Sequence, residues 1–154
     1  MISPERRYAE EAAVILETMG LARAHGKLLA WLLVCDPPQQ SSAQLAQALD
    51  LSAGSVSTGT RLLENAGLIR RVAVPGARGK VFEVADDAFL RTDLADRISV
   101  FRQLMDRGLA VIGGADAEHA GRARRLRRTR DYYAFMEREV PAAVQRFHAE
   151  YGAG

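Results

Sequence analysis

Ten residues between 52 and 80 carry the most legible chemistry in this chain. Arg61, Arg70, Arg71, Arg78 and Lys80 are five cations with one acid, Glu64, among them, a local charge of +4. Such a cluster binds phosphates and gains affinity by releasing their counterions. Just upstream stand Ser52, Gly54, Ser55, Ser57 and Thr58. Small and hydroxyl-bearing side chains let a helix enter a DNA major groove and bond to base edges or phosphates. Arg78 lies between Gly76 and Gly79, at a loop tip, where a cation can reach into a narrow groove. The bland reading of the same residues is a solvated serine-rich helix beside a basic hairpin.

The elements that must hold these residues favour the first reading. Ser41 and Gln44 have the spacing of a capping box, which predicts a short helix over 42–49 that buries Leu45, Ala46 and Leu49. Asp50-Leu51-Ser52 makes a tight turn. Ser52 then caps a second helix over 53–66, which Gly67 ends. On that helix Val56, Leu63 and Ala66 should face the core, with Gly54, Ser55, Ser57, Thr58, Arg61 and Asn65 outward. Gly59 in its interior costs about 1 kcal/mol against alanine, which close packing against another backbone would explain. The period then changes. Residues 68–74 and 81–84 read as strands joined by Pro75-Gly76-Ala77-Arg78-Gly79, a hairpin. Two short helices, a three-residue turn and a basic hairpin make the layout of a winged helix-turn-helix.

These segments resemble a known family. Ser41-Ser42-Ala43-Gln44-Leu45-Ala46, Leu51-Ser52-Ala53-Gly54-Ser55-Val56-Ser57 and Arg61-Leu62-Leu63-Glu64-Asn65-Ala66-Gly67-Leu68-Ile69-Arg70-Arg71 look like the MarR family of bacterial transcription regulators. The stretch from Val72 to Lys80 looks more like its GbsR-like branch. The usual MarR wing carries an Asp-x-Arg pair. Arg78 matches the arginine, while Gly76 stands in the aspartate's place and leaves Arg78 without that brace. The motifs cover residues 41–84. The resemblance implies a homodimer on a pseudo-palindromic double-stranded DNA operator, often a repressor and often responsive to a small-molecule effector. The runner-up is a winged helix used as a protein-interaction module without operator binding.

The flanks are helical. Ser3-Pro4-Glu5 starts a helix that should run to Met19 and stop at Gly20, and a second apolar segment ends at Asp36-Pro37-Pro38. From Asp87, Leu90, Leu94, Ile98, Phe101, Met105, Leu109 and Ile112 repeat at coiled-coil spacing until Gly113-Gly114. Asp116 can cap a last helix with Leu126, Tyr133, Val140 and Phe147 on one seam, kinked or restarted at Pro141. At ~1.5 Å per residue that helix would span about 50 Å if straight, more than so small a domain covers alone. Pairing with a second copy is the economical cover, an internal helical hairpin the alternative. The expected fold is therefore mainly α with a small β-hairpin, a winged helix-turn-helix flanked by long dimerisation helices. Its divisions are 1–36 for N-terminal dimerisation and support, 37–86 for DNA binding and 87–154 for C-terminal dimerisation.

Other features bound the function. The chain has 154 residues, 48% hydrophobic and 26% charged, with a net charge of +2, which suits one globular domain and names no partner by itself. It has no apolar run long enough for a membrane span, no signal pattern at Met1–Arg7 and one cysteine, so a cytoplasmic protein without membrane contact is expected. Cys35 reads as a buried inert thiol. His25, His119 and His148 are too scattered for a metal site, and no cofactor is expected. No nucleophile elbow, phosphate loop or zinc-protease motif argues for an enzyme. An effector pocket would draw on His25, Trp31, Phe101, Met105, Tyr132 and Tyr133, each more commonly core or interface. Arg122, Arg124, Arg125, Arg127, Arg128 and Arg130 form either a second DNA-backbone surface or a solvated face paired with acids such as Glu5, Glu10 and Glu11. The second reading is preferred, since surface charge runs are common and individually weak.

Overall fold

A computed structural model describes residues 1–86, 88–89, 94–112 and 120–152. Asp87, Leu90, Gly113-Gly114, the Asp116 cap and His119 lie outside them, as does the side chain of Leu94. The chain is mainly helical with one small antiparallel sheet. It divides into two compact units, Met1–Leu90 and Arg91–Gly154.

The first unit holds α1 (Pro4–Thr18), α2 (Arg23–Val34), β1 (Gln40–Ser41), α3 (Ser42–Leu49), α4 (Ala53–Asn65), β2 (Ile69–Val72) and β3 (Val81–Val84). Local chemistry sets its boundaries. Ser3 caps α1 by accepting from the Arg6 N–H, and Gly20 ends it with φ +90°. The capping box at α3 is complete: the Gln44 N–H donates to Ser41 Oγ at 3.2 Å, and the Ser41 N–H donates to Gln44 Oε1 at 2.8 Å. Asp50 closes α3 in a left-handed conformation, φ 53°, which aspartate tolerates better than most residues.

β1 is the element the sequence does not announce. It pairs with β3, so the hairpin becomes a three-stranded sheet of order β1-β3-β2. The Ser42 N–H donates to the Lys80 carbonyl at 3.1 Å and ties the start of α3 to the start of the wing strand. The core runs through all these elements: Leu28, Leu29, Leu45, Leu49, Val56, Leu63 and Phe82 are each 0–1% exposed. Cys35 belongs to it, and burial first, then the charge of Asp36, pushes its thiol above the ordinary range. Ala46 is half-buried, and Ala66 is exposed, not in the core. Its place on the buried side of α4 is taken by Gly59 and Thr60. Thr60 can be buried because its hydroxyl donates to the Val56 carbonyl at 2.8 Å.

The second unit holds α5 (Leu94–Ile112) and α6 (Ala120–Tyr151). The two helices pack antiparallel within the chain. Phe101 stacks on Tyr133 at 5.2 Å, and Arg102 bridges Glu137 and Asp106, at 2.6 and 2.9 Å. Leu126 lies close enough to Gly108 that a Cβ there would meet its Cδ1 at 3.2 Å. The seam expected to need a second copy is thus touched, at Phe101, by the chain's own helix, which leaves that residue 44% exposed. A different stripe of α5, Val100, Leu104 and Val111, stays exposed. α6 continues through Pro141 without restarting.

Candidate nucleic-acid interface

α4 presents the face expected of a recognition helix. Gly54, Ser57, Thr58, Arg61 and Asn65 are exposed, while Val56 and Leu63 hold the helix to the core. Its first turn is organised by Ser52, whose Oγ accepts from the Ser55 N–H at 3.1 Å and whose hydroxyl reaches Ser55 Oγ at 3.0 Å. If the Ser52 hydroxyl donates in that second contact, the half-buried Ser55 keeps its own proton to offer a phosphate or base edge.

α4 is seated closely on α2. A Cβ at Gly59 would overlap Leu28 Cδ1 and come within 2.9 Å of His25 Cδ2. The glycine therefore answers to side chains of α2, not to a backbone. The same contact places His25 beneath the recognition helix.

The wing loop is built by turn chemistry. The Ala77 N–H donates to the Val74 carbonyl at 3.1 Å, with Pro75 and Gly76 between them and Gly76 at φ +77°. Proline then glycine at the two central positions is the pattern of a type II turn. A residue with a side chain is strained at that φ, which accounts for glycine where the usual wing has aspartate. Gly79 is also left-handed, φ +85°, so Arg78 projects from a loop bent on both sides and is exposed. A cavity of about 510 Å³ separates the loop from Gln39, Ser41 and Gln44.

The five cations divide into two sets. Arg70 is held by Glu83 at 2.8 Å and Asp86 at 3.2 Å, and Arg71 by Glu64 at 3.1 Å with its guanidinium 5.9 Å from the centre of the Phe82 ring. Among the described residues no carboxylate pairs with Arg61, Arg78 or Lys80. Counting on to Asp86 adds two acids, so five cations face three acids and the local charge falls from +4 to +2. The cationic surface is narrower than the sequence suggests and lies at Arg61 and the wing tip.

Glu83 is the wing residue that sequence reasoning misses. Strand register sets it opposite Arg70, and it also accepts from Gln39 Nε2 at 2.8 Å. The bond from Arg70, then that from Gln39, holds its carboxyl below the ordinary range. Its contribution to stability is full above that range and vanishes as pH falls through the lowered folded value. Glu83→Gln should therefore lower the thermal midpoint at neutral pH, and the gap to wild type should close on acidification. A gap that persists unchanged into acid would separate Glu83 from the wing's pH response.

The residues expected to form an effector pocket fall into two sets. Phe101 and Tyr133 stack, and Tyr132 meets Tyr133 edge-on at 5.3 Å, on the second unit with Met105 half-buried on α5. His25 and Trp31 lie on α2 of the first unit, Trp31 against the core. A separate apolar cleft of about 330 Å³ runs between α1 and α2, lined by Tyr8, Ile15, Leu16, Leu29, Leu33 and Phe89 among others. Among the described residues no helix is long and apolar enough to cross a membrane.

A capped helix-turn-helix with an exposed polar recognition face, followed by a hairpin with a cationic tip, defines a winged-helix DNA-binding protein. Comparison with known proteins specifies which kind. The HTH-type transcriptional regulator MmpR5 of Mycobacterium tuberculosis is 40% identical over 148 residues, covering 94% of this chain and 87% of that protein. The model of the MmpR5-like MarR family transcriptional regulators matches residues 89–150. A crystal structure of a transcriptional regulator, 40% identical, superposes with a TM-score of 0.74 over 93% of this chain and 97% of that one. The chain belongs to the MmpR5-like MarR family, and it is a DNA-binding transcriptional regulator.

Proposed function

We propose that the chain binds a pseudo-palindromic operator as a homodimer, represses transcription from it and releases it in response to a small ligand. The observation that carries the reading is that α4 exposes Ser57, Thr58 and Arg61 while the wing exposes Arg78 and Lys80, neither paired with a carboxylate among the described residues. Ser52, Gly54 and Ser55 let the first turn of α4 approach the phosphates. Arg70 and Arg71 contribute mainly by bracing the sheet that carries the wing.

The dimer reading is supported by apolar side chains left exposed in the second unit, Val100, Leu104, Val111, Tyr132 and Phe135, and by Val14 and Ile15 on α1. On this reading dimerisation falls to segments 1–36 and 87–154 and DNA binding to 37–86. Two copies set two recognition helices about one DNA turn, ~34 Å, apart. For an effector, the candidates stay in two sets, Phe101, Met105, Tyr132 and Tyr133 on the second unit and His25 and Trp31 on the first. The likeness of the wing to GbsR-like regulators rests on Val72–Lys80 alone. A protein of this kind works in the cytoplasm.

The test is a titration of the chain's own upstream DNA, with sedimentation equilibrium of the same sample. Operator binding should show a two-to-one protomer stoichiometry and lose orders of magnitude in affinity between about 50 and 200 mM salt. Weak, salt-insensitive binding would favour a protein-interaction module instead.

A further inference from the structure

The first turns of α6 carry a concentration of charge that the winged helix does not use. Between Ala120 and Asp131 there are six arginines, no lysine and one acid, Asp131. Arg130 is half-buried and bonded to Asp131 at 2.7 Å. Arg124, Arg125, Arg127 and Arg128 are exposed, and among the described residues none of these four has a carboxylate within ion-pair distance. Of the acids expected to neutralise the run, Glu10 instead bonds Lys27 at 2.8 Å.

The helix sorts these residues cleanly. Ala123 is 2% exposed and Leu126 packs beside Gly108 of α5. At ~100° per residue, Arg124 and Arg128 point directly away from Leu126, with Arg125 and Arg127 on either side. Like charges at i,i+3 and i,i+4 repel along a helix, so the strip opposes the helix that bears it. A polyanion laid along the strip reverses that sign.

We propose that Arg124, Arg125, Arg127 and Arg128 form a second duplex-binding surface, which engages DNA phosphates without reading sequence and independently of the winged helix. Two observations favour this occupant. All four cations are arginine, whose planar fork matches phosphate geometry where lysine offers a point charge. Arg124 to Arg128 rises about 6 Å along α6, close to two ~3.4 Å steps of one DNA strand. An anionic lipid surface is the competing occupant, because Tyr132 and Phe135 lie exposed one and two turns beyond Arg128 on the same face, and the vesicle titration decides against or for it.

The experiment uses the full chain, a random duplex of about 60 bp and a salt series, read by fluorescence anisotropy. With Arg61→Ala and Arg78→Ala, random-duplex binding should persist. Adding Arg124→Gln, Arg125→Gln, Arg127→Gln and Arg128→Gln should then lower affinity at least ~10-fold at low salt and flatten the salt slope by about three to four. Arginine-to-lysine changes at the four positions should keep the slope. Glutamine has a helix propensity near that of arginine, so far-UV helicity should hold. Should the fourfold change unfold α6, Arg124→Gln with Arg128→Gln is read the same way, with half the change in slope. The proposal is overturned if the glutamine changes leave slope and affinity unaltered, or if the Arg61 and Arg78 changes alone abolish random-duplex binding. It is equally overturned if the glutamine changes abolish binding to phosphatidylglycerol vesicles or to polyglutamate while duplex binding stays. Parallel titration of the operator by the glutamine variant separates this outcome from any failure of the winged-helix reading.

Discussion

Operator affinity is expected to fall about 100-fold or more when Arg61 and Arg78 are both replaced by alanine. Each such contact is worth roughly 10- to 100-fold whether it reaches a base edge or a phosphate, and the two stand on separate elements, α4 and the wing. The salt slope should drop by about two if both are phosphate contacts, and by less if Arg61 reads a base. Folding should be untouched, because neither side chain has an ion-pair partner among the described residues and both are exposed. Arg70→Ala is the internal control. Its guanidinium is already bonded to Glu83 and Asp86, so its loss should weaken the sheet more than the DNA contact. A gel-shift series settles the ranking. If Arg70→Ala proves the more damaging of the two to operator binding at equal stability, the division of the cations into free and braced is wrong.

That division also shows where sequence reading reaches its limit. Elements whose causes are local are legible: the caps at Ser3, Ser41 and Ser52 and the turn at Pro75-Gly76 each depend on residues within a few positions. The exposed face of α4 is legible for the same reason, since helical period alone sorts Ser57, Thr58 and Arg61 from Val56 and Leu63. What depends on distant pairing is not. β1 is two residues, Gln40 and Ser41, with no alternation, and exists because β3 passes beside it. Glu83 neutralises Arg70 only once the hairpin register is known. In the second unit the periodicity marked a true apolar seam, but periodicity cannot say which helix covers it. α6 of the same chain touches that seam at Phe101 and leaves the ring partly exposed, with Val100, Leu104 and Val111 exposed beside it.

Gly59→Val should destabilise the chain by about 3 kcal/mol, the upper range for forcing bulk into a packed interior. The site is fully buried, and the first added carbon already overlaps Leu28 Cδ1 and crowds the His25 ring. Leu28 is 0% exposed, so its side chain cannot yield by turning outward without leaving the core. Gly59→Ala should be milder, because overpacking of about 1–3 kcal/mol is offset by about 1 kcal/mol of helix propensity. Urea unfolding measures both. Coupling identifies the cause: combined with Leu28→Ala, which alone opens a cavity costing about 2–5 kcal/mol, Gly59→Ala should cost nothing further or restore stability. Additive losses would mean that the glycine serves the backbone of α4 and not its seat on α2. The functional consequence follows from the same geometry. A methyl group that lifts α4 from α2 shifts Ser57, Thr58 and Arg61 together relative to the wing, so operator affinity should fall even under conditions where Gly59→Ala remains folded.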